Sequence, residues 1–298
     1  MNELINTNEF NIIKSQETFI NYLDVSNKTI SSYKNGIECF ISYLRDNNAT
    51  CSPTRENVIG FRNYLKEQKY ANNTINSYMV AIRSMFKFLS IKGIYPNIAE
   101  DIKGAKVSST PKTQVLPLNK AREMYASLTD PRERVIFGLL ITTGLRGTEL
   151  SNAMLEDIKI HNNEIVLWVQ CKGHTEKDEY VKLSEMVLDD IKKYIGNRTT
   201  GYLIVGHGNK NNGGKVTTKT IRDIVKGIFK RFDLDYDYFS LHTLRRSSAT
   251  ISYELGADVK QIQQVLHHQN LNTTMRYINA CTRDNNKMEF NLSNAILG

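Results

Sequence analysis

The pattern Asn27-Lys-Thr-Ile-Ser-Ser-Tyr-Lys returns 45 residues later as Asn72-Asn-Thr-Ile-Asn-Ser-Tyr-Met, and each copy runs on into apolar residues at helical spacing. The first stripe is Ile30, Tyr33, Ile37, Phe40, Ile41 and Leu44; the second is Ile75, Tyr78, Ile82, Phe86 and Leu89. A spacing of three and four residues puts each set on one side of a helix and leaves that side to be buried. Two copies are too few for a solenoid, so the repeat predicts two like helices, each capped by Asn or Thr, in one small bundle. A third helix is predicted between them, over Arg55 to Gln68, entered through Ser52-Pro53-Thr54. An amphipathic segment over Thr7 to Leu23 supplies a fourth.

The bundle accounts for residues 1–104. Residues 105–117 hold Lys, Ser, Thr and two of the five prolines with little to bury, which marks a linker. A second domain is expected over 118–298. It reads as helices near Asn119–Ser127, Pro131–Thr142 and Thr148–Met154, then two β-rich runs, Glu164–Gln170 and Glu179–Leu183, flanking a hairpin loop. Helices follow near Glu185–Tyr194, Thr217–Phe232, Leu241–Leu255, Asp258–Leu266 and Thr273–Ile278. The fold class is therefore mainly α with a small antiparallel β-sheet in the second domain.

Composition narrows the function. A hydrophobic content of 40% and a charged content of 23% are globular values and exclude a disordered or collagen-like chain. The longest apolar stretch, Val135 to Leu145, is too short to span a bilayer, so no membrane association is expected. The chain opens without a secretory signal, and Cys39, Cys51, Cys171 and Cys281 form no CxxC pair, so reduced thiols in a cytoplasmic protein are expected. No zinc-ligand spacing appears, and no P-loop or GxGxxG, so neither metal nor nucleotide cofactor is expected. The net charge of +8 suits a polyanionic partner. It divides as 13 basic against 10 acidic residues over 1–107 and 26 against 21 thereafter, so no single tail carries it.

Three segments carry residue types that could act together. In Thr143-Gly-Leu-Arg146-Gly-Thr-Glu149-Leu, an arginine follows a tight turn between apolar helices, where its guanidinium needs a carboxylate or a bound anion. Glu149, three residues on, could be that carboxylate. In Ser240-Leu-His242-Thr-Leu-Arg245-Arg246, His242 and Arg245 share one helical face, which suits either phosphate oxygens or plain solvation. In Leu266-His267-His268 through Tyr277, a tyrosine stands nine residues after a histidine across a polar turn. Taken singly, each has an ordinary structural explanation.

Together, and in this order, the boxes resemble the tyrosine recombinase (phage-type integrase) family in its compact Xer-like form. That signature is T-G-[LM]-R-x-x-E-L, then H-x-x-R, then L-x-H with a tyrosine nine residues later; a lysine sits in a hairpin turn between the first two boxes. Lys172 matches the lysine, with Lys177 a second choice in the same loop. His267 stands where the family usually has glycine, so which histidine faces the site stays open, with spacing favouring His268. Arg246 stands where members often carry histidine.

The resemblance implies a helical core-binding domain followed by a catalytic domain, and a catalytic set of Arg146, Lys172, His242, Arg245, His268 and Tyr277. It implies cleavage and rejoining of duplex DNA at paired half-sites, through a 3′-phosphotyrosine and a Holliday junction. It further implies a homo-tetramer on DNA, linked through the C-terminal segment Met288–Leu297, and nucleoid association. Lys28, Arg83 and Lys87 in the first domain, and Lys215 and Lys219 in the second, are candidate phosphate contacts. Two other readings compete: a non-catalytic helix-turn-helix regulator over Thr250–Ile278, and a DNA-relaxing enzyme like the type IB topoisomerases.

Overall fold

In the computed structural model the described residues are 10–106, 114–207, 212–285, 293 and 295–297; beyond Ile278 only the helical backbone and the exposed side chains of 293 and 295–297 are described. The chain divides into two compact units, Met1–Ser109 and Thr110–Gly298.

Among its described residues the first unit carries four α-helices: α1 (Ile12–Tyr22), α2 (Asn27–Asp46), α3 (Arg55–Glu67) and α4 (Asn72–Ile91). The two repeated stripes meet along α2 and α4, and Ile37, Phe40, Leu44, Ile75, Met79, Ile82, Phe86 and Leu89 are wholly buried. Burial of each such side chain stabilises the bundle by about 1.5–3 kcal/mol. Gly36 lets the helices approach closely, since a Cβ there would lie 3.1 Å from the Tyr78 backbone. The expected caps are displaced by one residue. Ser26 caps α2 by accepting from the Thr29 amide, and Ala71 precedes α4 with no side-chain bond. Asn72 is already helical and donates instead to the Lys106 carbonyl at 2.8 Å, while Asn76 bonds Ala105 in both directions. These asparagines fasten the chain leaving the bundle rather than the start of the helix.

The second unit carries α5 (Leu118–Ser127), α6 (Pro131–Thr143), α7 (Gly147–Asn152), a 3-10 turn (Leu155–Asp157), β1 (Ile158–His161), β2 (Glu164–Val169), β3 (Glu179–Lys182), α8 (Glu185–Ile195), α9 (Thr218–Arg231), α10 (Leu241–Glu254), α11 (Val259–Val265) and α12 (Leu271–Asn285). The strands form one antiparallel sheet in the order β1-β2-β3. Two of them were expected; β1 is a four-residue strand that pairs with β2 through a turn at Asn162 and Asn163, both at positive φ. Helix α12 begins two residues earlier than expected and continues past Ile278. Helix α6 opens on Asp130, which accepts from the Arg132 and Glu133 amides, with Pro131 in its first turn.

Helix α10 is the axle of this unit. It packs on α6 and α12, and every residue from Thr243 to Thr250 is buried. A helix buried on all sides has no solvated face for its charges, so Arg245 and Arg246 point into protein. No helix among the described residues is long and apolar enough to cross a membrane.

Candidate active site

Two turns meet to build the site. Helix α6 ends at Gly144, whose φ of +66° is the left-handed conformation that lets the chain reverse into α7. A side chain at Gly144 would strike Leu266, the residue just before His267 and His268. Glycine is thus needed twice here, for the turn and for the close approach of the two boxes.

Arg146 leaves this turn directly before α7. Its amide donates to Glu149 Oε2 at 2.7 Å and its Nη1 to Glu149 Oε1 at 2.5 Å, so one carboxylate both caps the helix and orients the guanidinium. Glu149 is 1% exposed. Arg245, far along the chain on α10, also faces it, with Nη1 3.9 Å from Oε2. Arg245 donates further to the Gly144 carbonyl at 2.6 Å and to the Leu266 carbonyl. It therefore ties together the Arg146 turn and the His268 turn. Burial, then the neighbouring Arg146 charge, lowers its pKa against the opposing pull of Glu149.

His268 is buried and its Nδ1 lies 2.9 Å from Thr274 Oγ1. Its ring meets that of Tyr277 edge-on, with centroids 5.3 Å apart at 65°. Burial, followed by the charges of Arg245, Arg146 and His267, pushes its pKa down to about 4, so it is neutral at pH 7. Tyr277 is half-buried on α12, and its carbonyl accepts from Thr250 Oγ1 at 3.1 Å. His242, in the first turn of α10, keeps an exposed edge. Partial burial and then the charges of Arg245, Arg146 and Arg222 lower its pKa as well.

A cleft of about 670 Å³ opens beside these groups, with Arg146, Lys172 and His268 on its walls. Lys172 stands exposed on the loop between β2 and β3, with no hydrogen bond or ion pair among the described residues. The loop is shaped by its own contacts: Gln170 donates to the His174 and Thr175 carbonyls, and His174 bonds Asp178 at 2.7 Å.

The paired candidates have different partners. Lys177 donates to Asp157 at 2.5 Å and to the Asn152 carbonyl at 3.2 Å, whereas Lys172 lines the cleft. His267 donates to the Tyr180 carbonyl at 3.1 Å, while its neighbour His268 takes the position against Tyr277. The supporting groups Thr250 and Thr274 had no sequence signal beyond being hydroxyls near the last box.

The candidate phosphate contacts do not share one setting. Lys28, Lys87 and Lys219 are exposed, the last in the opening turn of α9. Arg83 donates to the Ile102 carbonyl at 2.6 Å and lines a cleft with Lys87 that also contains Glu100 and Asp101. Lys215 is exposed, with its ammonium 5.9 Å from the centroid of the Tyr202 ring.

Comparison with known proteins decides the family. Residues 110–283 match the phage integrase family, and residues 17–93 match the phage integrase N-terminal SAM-like domain. The chain belongs to the phage integrase family. It is a tyrosine site-specific recombinase, similar to the tyrosine recombinase XerA of Pyrococcus horikoshii, with 30% identity over 217 residues and 72% of each chain covered. The XerA of Thermococcus onnurineus is 32% identical over 213 residues, covering 70% of this recombinase and 71% of that one. The fold is shared with the Tn1549 transposon integrase solved in complex with transposon right end DNA, at a TM-score of 0.73 and 16% identity, with 97% of this recombinase and 100% of that chain covered. A non-catalytic regulator would leave the family match over both units without a reason.

Proposed function

We propose that this recombinase cuts and rejoins duplex DNA with Tyr277 as nucleophile and Arg146, Arg245, His242, His268 and Lys172 as the rest of the catalytic set. The observation that carries this reading is the sharing of one buried carboxylate, Glu149, by two guanidiniums next to the His268–Tyr277 pair. Such an arrangement holds two forks of donors toward one place without neutralising both, which suits a phosphodiester gaining negative charge.

The phenol oxygen forms a bond to phosphorus as the bond from phosphorus to the 5′ oxygen breaks, leaving a 3′-phosphotyrosine and a free 5′ hydroxyl. A phenol is a weak acid of pKa about 10, so its proton must be accepted as it attacks. His268 is neutral, and with Nδ1 engaged by Thr274 it has Nε2 available to accept. Arg146 and Arg245 bind the nonbridging oxygens, and His242 adds a hydrogen bond to them. Lys172, unpaired on its loop, gives a proton to the departing 5′ oxygen. Reversal of these steps with a different 5′ hydroxyl joins new strands. No energy input is required because one phosphodiester replaces another, and the two guanidiniums supply the charge neutralisation a metal would give.

The bundle serves as the core-binding domain, with the 105–117 segment as linker; its residues 107–113 lie outside the described residues, and its ends Ala105 and Leu116 are buried in the two cores. Lys28, Arg83, Lys87, Lys215 and Lys219 contact the backbone of the paired half-sites. Exchange passes through a Holliday junction within a homo-tetramer. Its subunits are joined by the C-terminal segment; residues 288–292, 294 and 298 lie outside the described residues. Ile296 and Leu297 are 72% and 81% exposed, as expected of side chains meant for a neighbouring copy. An apolar groove bordered by Tyr125, Ile141, Met186 and Leu255 suits them. The protein then acts in the cytoplasm on the nucleoid.

Nicked duplexes from a randomised pool, in which cleavage releases a short strand and traps the adduct, test the reading. The wild type is expected to form a covalent DNA complex that Tyr277→Phe abolishes, at least about a 10⁴-fold loss. Adduct formation by Tyr277→Phe, or none by the wild type, would refute it. Relaxation of any supercoiled plasmid by monomer would favour a topoisomerase instead.

A further inference from the structure

We propose that His267 is a positioning residue: it fastens the hairpin that carries Lys172 to the turn that carries His268, and so sets where the lysine meets the DNA. This rests on the reading of Lys172 as the proton donor.

His267 has φ +48°, the left-handed region, which costs a residue with a Cβ about 1–2 kcal/mol. The backbone there closes α11, with the His267 amide donating to the Gln264 carbonyl at 2.9 Å and the His268 amide to the Gln263 carbonyl at 3.0 Å. The side chain adds a tertiary contact. The side chain is 7% exposed, and its Nε2 lies 3.1 Å from the Tyr180 carbonyl and 3.7 Å from Glu179 Oε2. A carbonyl can only accept, so Nε2 carries the proton and donates. Tyr180 belongs to β3, the edge of the sheet, and pairs with Trp168 of β2 on its inner side. His267 thus bonds the backbone of an edge strand that is otherwise held from one side.

The consequence for Lys172 follows from its lack of partners. Among the described residues nothing fixes its side chain, so its reach depends on where the loop backbone stands. Among the described residues, two side-chain hydrogen bonds tie that loop and its β3 flank to neighbouring elements outside the sheet. Lys177 ties it to Asn152 and Asp157, beside the end of α7. His267 ties the β3 side to the residue next to His268, and both histidines line the same cleft as Lys172. Loss of the His267 bond leaves the β3 flank held by its pairing with β2 and by buried Val181 but without its tie to the His268 turn, while the Arg146–Glu149–Arg245 group and the His268–Tyr277 contact keep their own partners.

A duplex with sulfur in place of the bridging 5′ oxygen distinguishes this role from a merely structural one. A thiolate leaves without a proton, since its conjugate acid has a pKa near 8.5, far below an alcohol's. The probes are one captured half-site made with oxygen or sulfur at the cleaved position, tested with the full chain. His267→Gly removes both the strain and the bond. It is expected to slow cleavage of the oxygen duplex by about 10- to 100-fold, the scale of a misplaced catalytic group, and to cleave the sulfur duplex like the wild type. His267→Gln keeps a donor at a similar reach and is expected to restore most of the rate on oxygen. Lys172→Ala is the reference for complete loss of the proton.

If Lys172→Ala is rescued by sulfur while His267→Gly is equally slow on both duplexes, or unimpaired on oxygen, the positioning role is overturned and the proton-donor reading survives. If Lys172→Ala itself is unimpaired or not rescued, the proton-donor reading falls and this role with it. Thermal melting shows whether His267→Gly is folded. Should it not be, His267→Asn, which tolerates the left-handed conformation but is too short for Tyr180, takes its place with the same expected rates.

Discussion

The bundle of α1 to α4 and the unit that follows it are both mostly helical, yet they bury different chemistry. Among the described residues of the bundle the only buried polar side chains are Ser15 and Gln16, and its interior is aliphatic and aromatic. The second unit buries Glu149, Asp190, Arg245 and Arg246. Asp190 is met by the Tyr125 hydroxyl and by Arg134 at 3.2 Å, and Glu149 by the two site arginines. An apolar interior is stable whatever its partner does. Buried charge is stable only while each group keeps its counterpart. The first unit is thus a scaffold tolerant of its surroundings, and the second is a scaffold whose interior continues into its chemistry.

That contrast can be broken most forcefully at Arg245. Arg245→Ala strips the Gly144 and Leu266 carbonyls of their donor and is expected to cost about 3–5 kcal/mol, read by chemical denaturation. It should also lower adduct formation by at least about 10²–10³-fold. Phe86→Ala in the bundle should cost a similar 3–5 kcal/mol or so, from the cavity it leaves. At saturating DNA and low temperature its cleavage rate should remain that of the wild type. If both variants lost chemistry equally, the division between the units would not hold.

Acid sharpens the comparison further. His268 has its pKa pushed down to about 4 from 6.5, so the unfolded chain binds the extra proton across that window and the folded chain does not. Stability is therefore full above pH 6.5 and falls as pH drops toward 4, by up to about 3 kcal/mol. Unfolding followed against pH should show this slope in the second unit, and His268→Gln should flatten it. The smallest effect is expected at the bundle surface. Lys28→Ala should weaken DNA binding by under about 1 kcal/mol and reduce the salt dependence of binding by about one counterion.

The same contrast governs how much was legible in the sequence. The bundle was readable because periodic apolar residues state which side of a helix is buried, and Ile37, Phe40, Ile82 and Phe86 are buried as their spacing predicts. The cap of α4 was misread because Asn72 serves the outgoing chain at Lys106, a tertiary use invisible to local rules, and that of α2 because Ser26 caps in place of Asn27. Strand β1 was missed because Ile158-Lys-Ile-His is too short to show alternation, and Ile160 remains 78% exposed. In the second unit the boxes were readable as residue types, and Glu149 could be assigned to Arg146 from spacing. Its second contact, to Arg245 across 96 positions of chain, could not. Nor could local sequence separate His267 from His268, or Lys172 from Lys177. Each pair is chemically alike, and the contacts that differ, His267 with the Tyr180 carbonyl and Lys177 with Asp157, are tertiary.

The carboxylate shared by Arg146 and Arg245 has a consequence for the protein at rest. One negative charge set against two positive ones leaves the pair a full charge in excess, in a place where burial already lowers the Arg245 pKa. Without DNA this is a frustrated spot, held together by the packing around it. A phosphate entering the cleft would complete the charge balance that folding leaves unfinished, so the substrate would act as a missing part of the interior. Simple oxyanions such as sulfate should then raise the melting temperature of the second unit more than that of the bundle.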